Sequence, residues 1–406
     1  MAGQDEENND RGISRRTLLK GLMASGVAFA AVSGATQSAR ADSYGVFKAA
    51  DLPNEKLLWM YETMLRSRFF DMSFMDRMAA GEKLLYRRYP MVHTCCGQEA
   101  VAVGVVAAME KDDWCYRPHR NTTHNIARGL DINKMVATCI YKATGYNAGR
   151  GGHTHTSSKE LKQADHAGLI GMEPLIAAGT AYGQKILNAR NGTKNITVRF
   201  SGDGDCNCPD TLLALNEAAN FSLPIVFVVE NNGYQIWVRT DETMKVRDIA
   251  DRGKGFGIPG FVVDGQDPLA VYNVAREAVA RARAGEGPTI IECKTYRYFD
   301  HMNALGYKPK EGMGARGLSY RPDRELMHWL SKDPVVNFRR TLINFKVLDE
   351  KGADEMVEKA KGEIAKAWEW ALAQPDPKGE DAVKFAYADG PLQTEFPRQM
   401  ADCPLY

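Results

Sequence analysis

Two apolar segments of this chain end in polar signatures that a parallel sheet would bring side by side. Ile196-Thr197-Val198-Arg199-Phe200 is β-branched and aromatic, and Gly202-Asp203-Gly204 follows it. Residues 224–230 are a continuous apolar run up to a terminal Glu230, and Asn231-Asn232-Gly233 follows. Such runs mark strands buried on both faces, as in parallel α/β sheets. Residues 211–220, between them, have the composition of a helix, so the segments form one strand–helix–strand unit. Asp203 and Asn232 then emerge at the same carboxyl edge, where sheets of this kind bind ligands. A carboxylate, a carboxamide and glycines that let a phosphate approach the backbone suit a magnesium diphosphate. Either piece alone reads as an ordinary turn. At successive strand ends the pair points to a diphosphate-bearing cofactor.

The pattern continues. Residues 260–265 and 288–292 read as two more strands, with a helix over 268–284 between them. A helical segment is expected over 354–372, where Trp368 and Trp370 can pack on the body or on a partner; from Gln374 the chain is polar and without periodicity. With 44% hydrophobic residues and a net charge of +1, it has no basic footprint for nucleic acid. No Gly-x-x-x-x-Gly-Lys-Ser/Thr loop occurs, which argues against a phosphotransferase.

The first 41 residues read differently. Ser14-Arg15-Arg16-Thr17-Leu18-Leu19-Lys20 has the form of a twin-arginine export signal, residues 21–35 are small and weakly apolar, and Ala39-Arg40-Ala41 is an Ala-x-Ala cleavage site. Export to the periplasm with a mature start at Asp42 follows; an uncleaved tail at a membrane surface, or a start codon upstream of the true one, are the alternatives. No later stretch is long and apolar enough to span a bilayer.

Six segments, in order, resemble one family. They are His93-Thr94-Cys95-Cys96-Gly97-Gln98-Glu99-Ala100, Tyr116-Arg117-Pro118-His119, Gly149-Arg150-Gly151-Gly152-His153-Thr154-His155, the Gly-Asp-Gly unit, Glu230-Asn231-Asn232-Gly233-Tyr234, and Thr295-Tyr296-Arg297-Tyr298. Over residues 57–334 the chain is similar to the alpha subunit of the thiamine-diphosphate-dependent 2-oxo acid dehydrogenases of the pyruvate, branched-chain and acetoin types. The resemblance implies an α/β, three-layer thiamine-diphosphate-binding fold with a mostly parallel central sheet. Together with the amino-terminal signal and the polar tail, this divides the chain into an export signal over 1–41, a cofactor-binding domain over 42–373 and a tail over 374–406.

The implied activity is decarboxylation of a 2-oxo acid with thiamine diphosphate and Mg2+, the acyl or aldehyde unit passing to an acceptor. By resemblance Asp203, the Asn232 amide oxygen and the Tyr234 carbonyl hold magnesium; Tyr116, Arg117, Gly168, Ile170, Gly204, Asp205 and His301 contact the cofactor. His93 and His301 match the two histidines that face the reacting carbon, where imidazole can donate or shuttle protons. The family takes a further Glu, beside the aminopyrimidine, from a beta subunit. No motif here supplies it, so an alpha2beta2 heterotetramer is implied. A lipoyl carrier is the usual acceptor, but an exported enzyme would need another. The alternatives are an exported, non-catalytic thiamine-diphosphate-binding protein, or a carboligase or acetoin-cleaving enzyme of the same fold.

The chain also departs from the family pattern. Cys208 and Pro209 follow Asn207; Leu213 stands where pyruvate-type members carry Glu, which bears on substrate class; and Met302 replaces the serine of a phosphorylation switch. The segment from His301 to Ser319-Tyr320-Arg321 is long and rich in Gly and Lys, a lid or a plain surface loop. His155 is read as the histidine of the Gly-Gly-x-x-His turn rather than as half of a zinc pair with His153, and the role of His119 is open. The eight cysteines do not have the spacing of a stapled disulfide fold.

Overall fold

A computed structural model describes residues 52–80, 82, 92–164, 168–302 and 320–383. The expected export signal, most of the segment between His301 and Ser319, and the chain beyond residue 383 lie outside the described residues.

Helix α1 (Asn54–Ala79) and helix α2 (Glu99–Ala108) precede the edge strand β1 (Trp114–Tyr116). Two short helices follow, α3 (Thr122–Ala127) and α4 (Ile132–Cys139), and then α5 (Glu173–Asn191). The unit read from the sequence is β2 (Thr197–Gly202), α6 (Pro209–Asn220) and β3 (Ile225–Asn231). A tiny hairpin, β4 (Tyr234–Gln235) and β5 (Val238–Arg239), precedes β6 (Gly260–Asp264), α7 (Pro268–Arg283) and β7 (Thr289–Lys294). Helices α8 (Asp323–Leu330), α9 (Pro334–Asn344) and α10 (Glu350–Leu372) complete the described chain.

The main sheet has the order β1-β2-β3-β7-β6, and every pairing in it is parallel. Alternate residues of its strands serve opposite faces. Val198, Phe200, Val226, Val228 and Ile291 pack with Val101 and Val105 of α2 and with Val271, Val274 and Ala278 of α7. Ile225, Phe227, Val229 and Ile290 pack with Ala177 and Ala181 of α5 and with Ala214 and Ala218 of α6. The result is three layers, and all seven residues of β3 are buried. Each fully buried Val, Ile or Phe contributes about 1.5–3 kcal/mol. At Gly104 of α2 a Cβ would sit 2.7 Å from Val271, so the two helices on this face approach more closely than alanine allows.

Several boundaries differ from the sequence expectation for local reasons. Helix α6 starts at Pro209 rather than at residue 211, because proline suits a first turn whose N–H has no partner. Helix α10 starts at Glu350 rather than at residue 354; the Asp349 carboxylate accepts the Gly352 amide at 2.7 Å and caps it. Trp368 packs on the body: its ring lies 4.5 Å from that of Phe74, and its indole N–H donates to Ser73 Oγ at 2.7 Å. Trp370 packs partly buried against the same cluster. The stretch after Gln374 is docked: Ala143 donates to the Pro375 carbonyl at 3.0 Å, and Lys142 pairs with Asp376 at 2.9 Å. The seven described cysteines are free thiols. Among the described residues no helix is long and apolar enough to cross a membrane.

Truncating Trp368 to alanine removes a fully buried indole from between α1 and α10. Trp368→Ala should lower the unfolding free energy by about 3–5 kcal/mol in urea denaturation, with secondary structure in the folded state unchanged.

Candidate active site

Where β2 and β3 end, the chain must turn beneath two layers of helix, and both turns face one cavity of about 370 Å³. Asp203 leaves β2 and opens a short 3-10 turn, Gly204–Asn207. Its Oδ1 accepts from the Gly204 amide at 2.8 Å and its Oδ2 from the Thr240 hydroxyl at 3.1 Å. The residue is 2% exposed. Burial raises its pKa, against the hydrogen bonds of Thr240 and Gly204 and the more distant charge of Arg297. No basic side chain hydrogen-bonds it among the described residues.

Asn232 follows β3. Its Nδ2 donates to Gln98 Oε1 at 3.2 Å, and its Oδ1 accepts the Tyr234 amide at 3.2 Å. Gly233 between them has a φ of 84°, which a side chain would strain. A buried carboxylate short of positive charge, a carboxamide oxygen and the hairpin backbone at Tyr234 make an all-oxygen donor set. That chemistry fits a hard divalent cation and, bound to it, a diphosphate.

The adjoining wall is basic. Arg117 Nη1 donates to the Thr154 carbonyl at 2.9 Å. Arg199 projects from the middle of β2 and pairs with Asp205, whose Oδ1 accepts the Thr211 hydroxyl at 2.8 Å. Both Asp205 oxygens are thus engaged within the fold. Arg297 places Nη1 at 2.9 Å from His301 Nδ1 and bonds the Ile236 carbonyl with Nη2.

Three imidazoles gather at the other end. The His93 ring centre lies 4.6 Å from that of His119 and 5.2 Å from that of His301, and His119 and His301 are 5.3 Å apart. Burial, with Arg120 and Arg297 adding to it, drives the His301 pKa down to about 3, so its ring is neutral at physiological pH. A guanidinium has donors only. Nδ1 of His301 therefore accepts, and Nε2 carries the ring proton as a donor. Three ring nitrogens within 4.8 Å of one another would suit a transition metal, but two guanidiniums border them and one occupies Nδ1, which opposes a cation.

Of the residues singled out from the sequence, Arg117, Ile170, Asp203, Gly204, Asp205, Asn232, Tyr234 and His301 line the cavity. His93 reaches it through its contacts with His119 and His301. Tyr116 ends β1 with its hydroxyl 2.6 Å from that of Thr180 on α5, outside the lining. Gly168 lies beside the turn of His155, where a Cβ would come 3.3 Å from the ring. His153 is 3.1 Å from the Thr122 hydroxyl.

The sequence reading did not single out Gln98, Arg120, Arg199, Glu230 or Arg297 as site residues. Four of these sit in or beside quoted motifs, and that adjacency was the available signal. Arg199 lies mid-strand and gives none. Glu230 is buried at the end of β3, and burial raises its carboxyl to about 8, against the charge of Arg120. His124, 3.5 Å away, is pushed down to about 3, first by burial and then by Arg117. Near neutral pH this close pair is two neutral groups rather than an ion pair.

Comparisons with known proteins show the family of the chain. The model of the family described as "Dehydrogenase E1 component" matches residues 71–380. The chain is 36% identical over 338 residues to the alpha subunit of acetoin:2,6-dichlorophenolindophenol oxidoreductase of Bacillus subtilis, covering 83% of this chain and 95% of that protein. It is 33% identical over 342 residues to the chloroplastic pyruvate dehydrogenase E1 component subunit alpha-3 of Arabidopsis thaliana, covering 83% and 76%. With the 3-methyl-2-oxobutanoate dehydrogenase subunit alpha of Mycobacterium tuberculosis it shares 32% over 339 residues, covering 84% of each.

Because its folded-state pKa is raised, Glu230 holds a proton in the native chain that the unfolded chain releases above its ordinary carboxyl range. Its contribution to stability is therefore present at low pH and is lost as pH rises towards about 8. In the cofactor-free protein, Glu230→Gln should match wild type near pH 4.5. It should then gain on it by up to about 1.4 kcal/mol per pH unit up to pH 8, read from urea midpoints across pH.

Proposed function

Since the chain belongs to the dehydrogenase E1 component family, we propose that it is the alpha subunit of a thiamine-diphosphate-dependent 2-oxo acid decarboxylase component. The observation that carries this reading is one cavity lined both by oxygen donors and by His119 and His301, with His93 packed against the two rings. Asp203, the Asn232 amide oxygen and the Tyr234 carbonyl would hold Mg2+, and Arg117 would take the diphosphate oxygens. Bound there, thiamine diphosphate supplies the carbon nucleophile and electron sink that let a 2-oxo acid lose CO2. The chain's own part is positional and protonic. His301 Nε2–H is set to donate to a substrate oxygen as negative charge gathers on it, and the basic wall favours an anionic substrate over water. A neutral imidazole whose second nitrogen is already bonded keeps that donor across the physiological range.

Subunit association is supported by exposed apolar groups. Ile176, Tyr182, Ile186 and Leu187 on α5, and Leu169, Ile170 and Met172 before it, are each more than 40% exposed. A surface of this kind marks a protein contact, and the reading assigns it to the beta subunit and a second alpha subunit, in an alpha2beta2 assembly. The domain division at residues 41 and 373 belongs to the same proposal, as does periplasmic export, which rests on Arg15-Arg16 and the Ala39-Arg40-Ala41 site. An exported enzyme would use an electron acceptor other than a lipoyl carrier. Cleavage of acetoin is the second reading. It is favoured by the Bacillus subtilis relative, whose name couples acetoin to 2,6-dichlorophenolindophenol.

Calorimetric titration of thiamine diphosphate with Mg2+ into the mature chain and its beta partner should give saturable binding that Asp203→Ala weakens by at least about 10²-fold. Dye reduction with pyruvate, branched-chain 2-oxo acids or acetoin then identifies the substrate. Absence of binding by the assembled pair overturns the assignment. For export, Arg15→Lys together with Arg16→Lys should hold the chain in the cytoplasmic fraction in the uncleaved form. Equal periplasmic recovery of the double variant refutes it.

A further inference from the structure

We propose that Arg120 is a positioning residue that sets the spacing of His93 and His301, and that the fork of its guanidinium, beyond its charge, is what the reaction requires. This rests on the functional reading above for its kinetic consequence, though not for its geometry. Arg120 is 3% exposed and borders the cavity. Its Nη1 donates to the Thr94 carbonyl at 2.5 Å and its Nη2 to the His301 carbonyl at 2.9 Å. One side chain therefore joins the residue after His93 to His301 itself, across segments far apart in sequence.

The two segments run alongside each other up to that point. Thr295 donates its hydroxyl to the Gly97 carbonyl at 3.1 Å, and the Tyr298 amide donates to the Cys96 carbonyl at 3.0 Å. The His301 amide turns back to Asp300 Oδ1 at 2.6 Å, and its ring is held by Arg297 of its own segment. Arg120 bridges His301 to residues 92–98 through the Thr94 carbonyl. The carbonyls of Thr94 and His301 both point at it, and without the intervening donors they would repel and lack partners in a buried site.

The planar fork matters because it fixes two acceptors in one plane. A lysine ammonium keeps the charge but presents rotatable donors on a flexible stem, and cannot hold both carbonyls at set directions. A shift of about 1 Å in one imidazole relative to the other is enough to cost about 10²-fold in rate. The charge has a separate role, because the guanidinium itself borders the cavity. The field of Arg120 therefore reaches the cavity and favours the substrate carboxylate. Lysine keeps that field and loses only the clamp.

The test compares wild type with Arg120→Lys and Arg120→Met, each as full-length chain with its beta partner, thiamine diphosphate and Mg2+. Arg120→Lys should lower kcat by about 30- to 100-fold while KM for the 2-oxo acid and cofactor affinity stay within threefold. Arg120→Met, lacking both fork and charge, should lose kcat equally and raise KM at least tenfold. Independently of activity, hydrogen exchange should accelerate in peptides covering residues 92–98 and 296–302 in both variants, with the rest of the chain unchanged. Retained kcat in Arg120→Lys, exchange unchanged in those peptides, or exchange raised throughout the chain would each overturn the clamp. If wild type turns over no 2-oxo acid, the functional reading falls, and the exchange data alone decide the geometry.

Discussion

Burial of β3 on both faces is the constraint on which the site depends. A strand with all seven residues buried can only sit in the middle of a sheet, and its neighbours β2 and β7 must run parallel to it because helices cover both faces. The ends of β2 and β3 then fall at one edge, and the first polar residues beyond them, Asp203 and Asn232, are brought together without any direct bond between them. Neither side chain stabilises the sheet in return. Asp203 is a buried acid held by a hydroxyl and an amide, and it carries a desolvation penalty that a divalent cation would relieve. The core is what makes so costly an arrangement tolerable.

The cavity separates its charges by protonation as well as by distance. Its cations are arginines, which stay charged even when buried, whereas Glu230 and His301 answer burial by becoming neutral. The outcome is a pocket in which Glu230 and His301 carry hydrogen-bonding protons rather than charges while the arginines stay cationic. Under the proposed function, such a pocket would take a diphosphate at Arg117 and a substrate carboxylate at Arg120. Between them it offers a neutral N–H. Proton transfer and anion binding are thereby assigned to different side chains.

The parts legible in the sequence were those set by short-range pattern. The strand–helix–strand unit, the shared edge of Asp203 and Asn232, and the later strands at residues 260 and 289 follow from apolar runs and glycines. Helix starts were misplaced by a few residues where a proline or an Asp cap acts at the boundary, as at Pro209 and Asp349. What stayed hidden depends on contacts between distant segments. Arg120 is one residue beyond a recognised motif, yet its two acceptors are contributed by segments that no local pattern connects. Trp368 was ambiguous between body and partner, because an amphipathic helix specifies that a face is buried and not what buries it.

Arg199 shows why a motif can be right in position and incomplete in meaning. An arginine in the middle of a buried parallel strand is an uncompensated charge unless the fold provides a partner, and leaving it alone would cost several kcal/mol. The partner is Asp205, in the turn immediately after Asp203. The same carboxylate receives Thr211, at the start of α6. This ties the 3-10 turn at one end to the strand below and at the other to the helix above. The acidic residue that looks like part of a phosphate-binding loop is thus held by both oxygens inside the fold, and its effect on any ligand runs through the backbone of Gly204 and the orientation of Asp203. The ion pair inside the sheet and the donor set at its edge therefore share one turn: loosening Arg199 would loosen Asp203 as well.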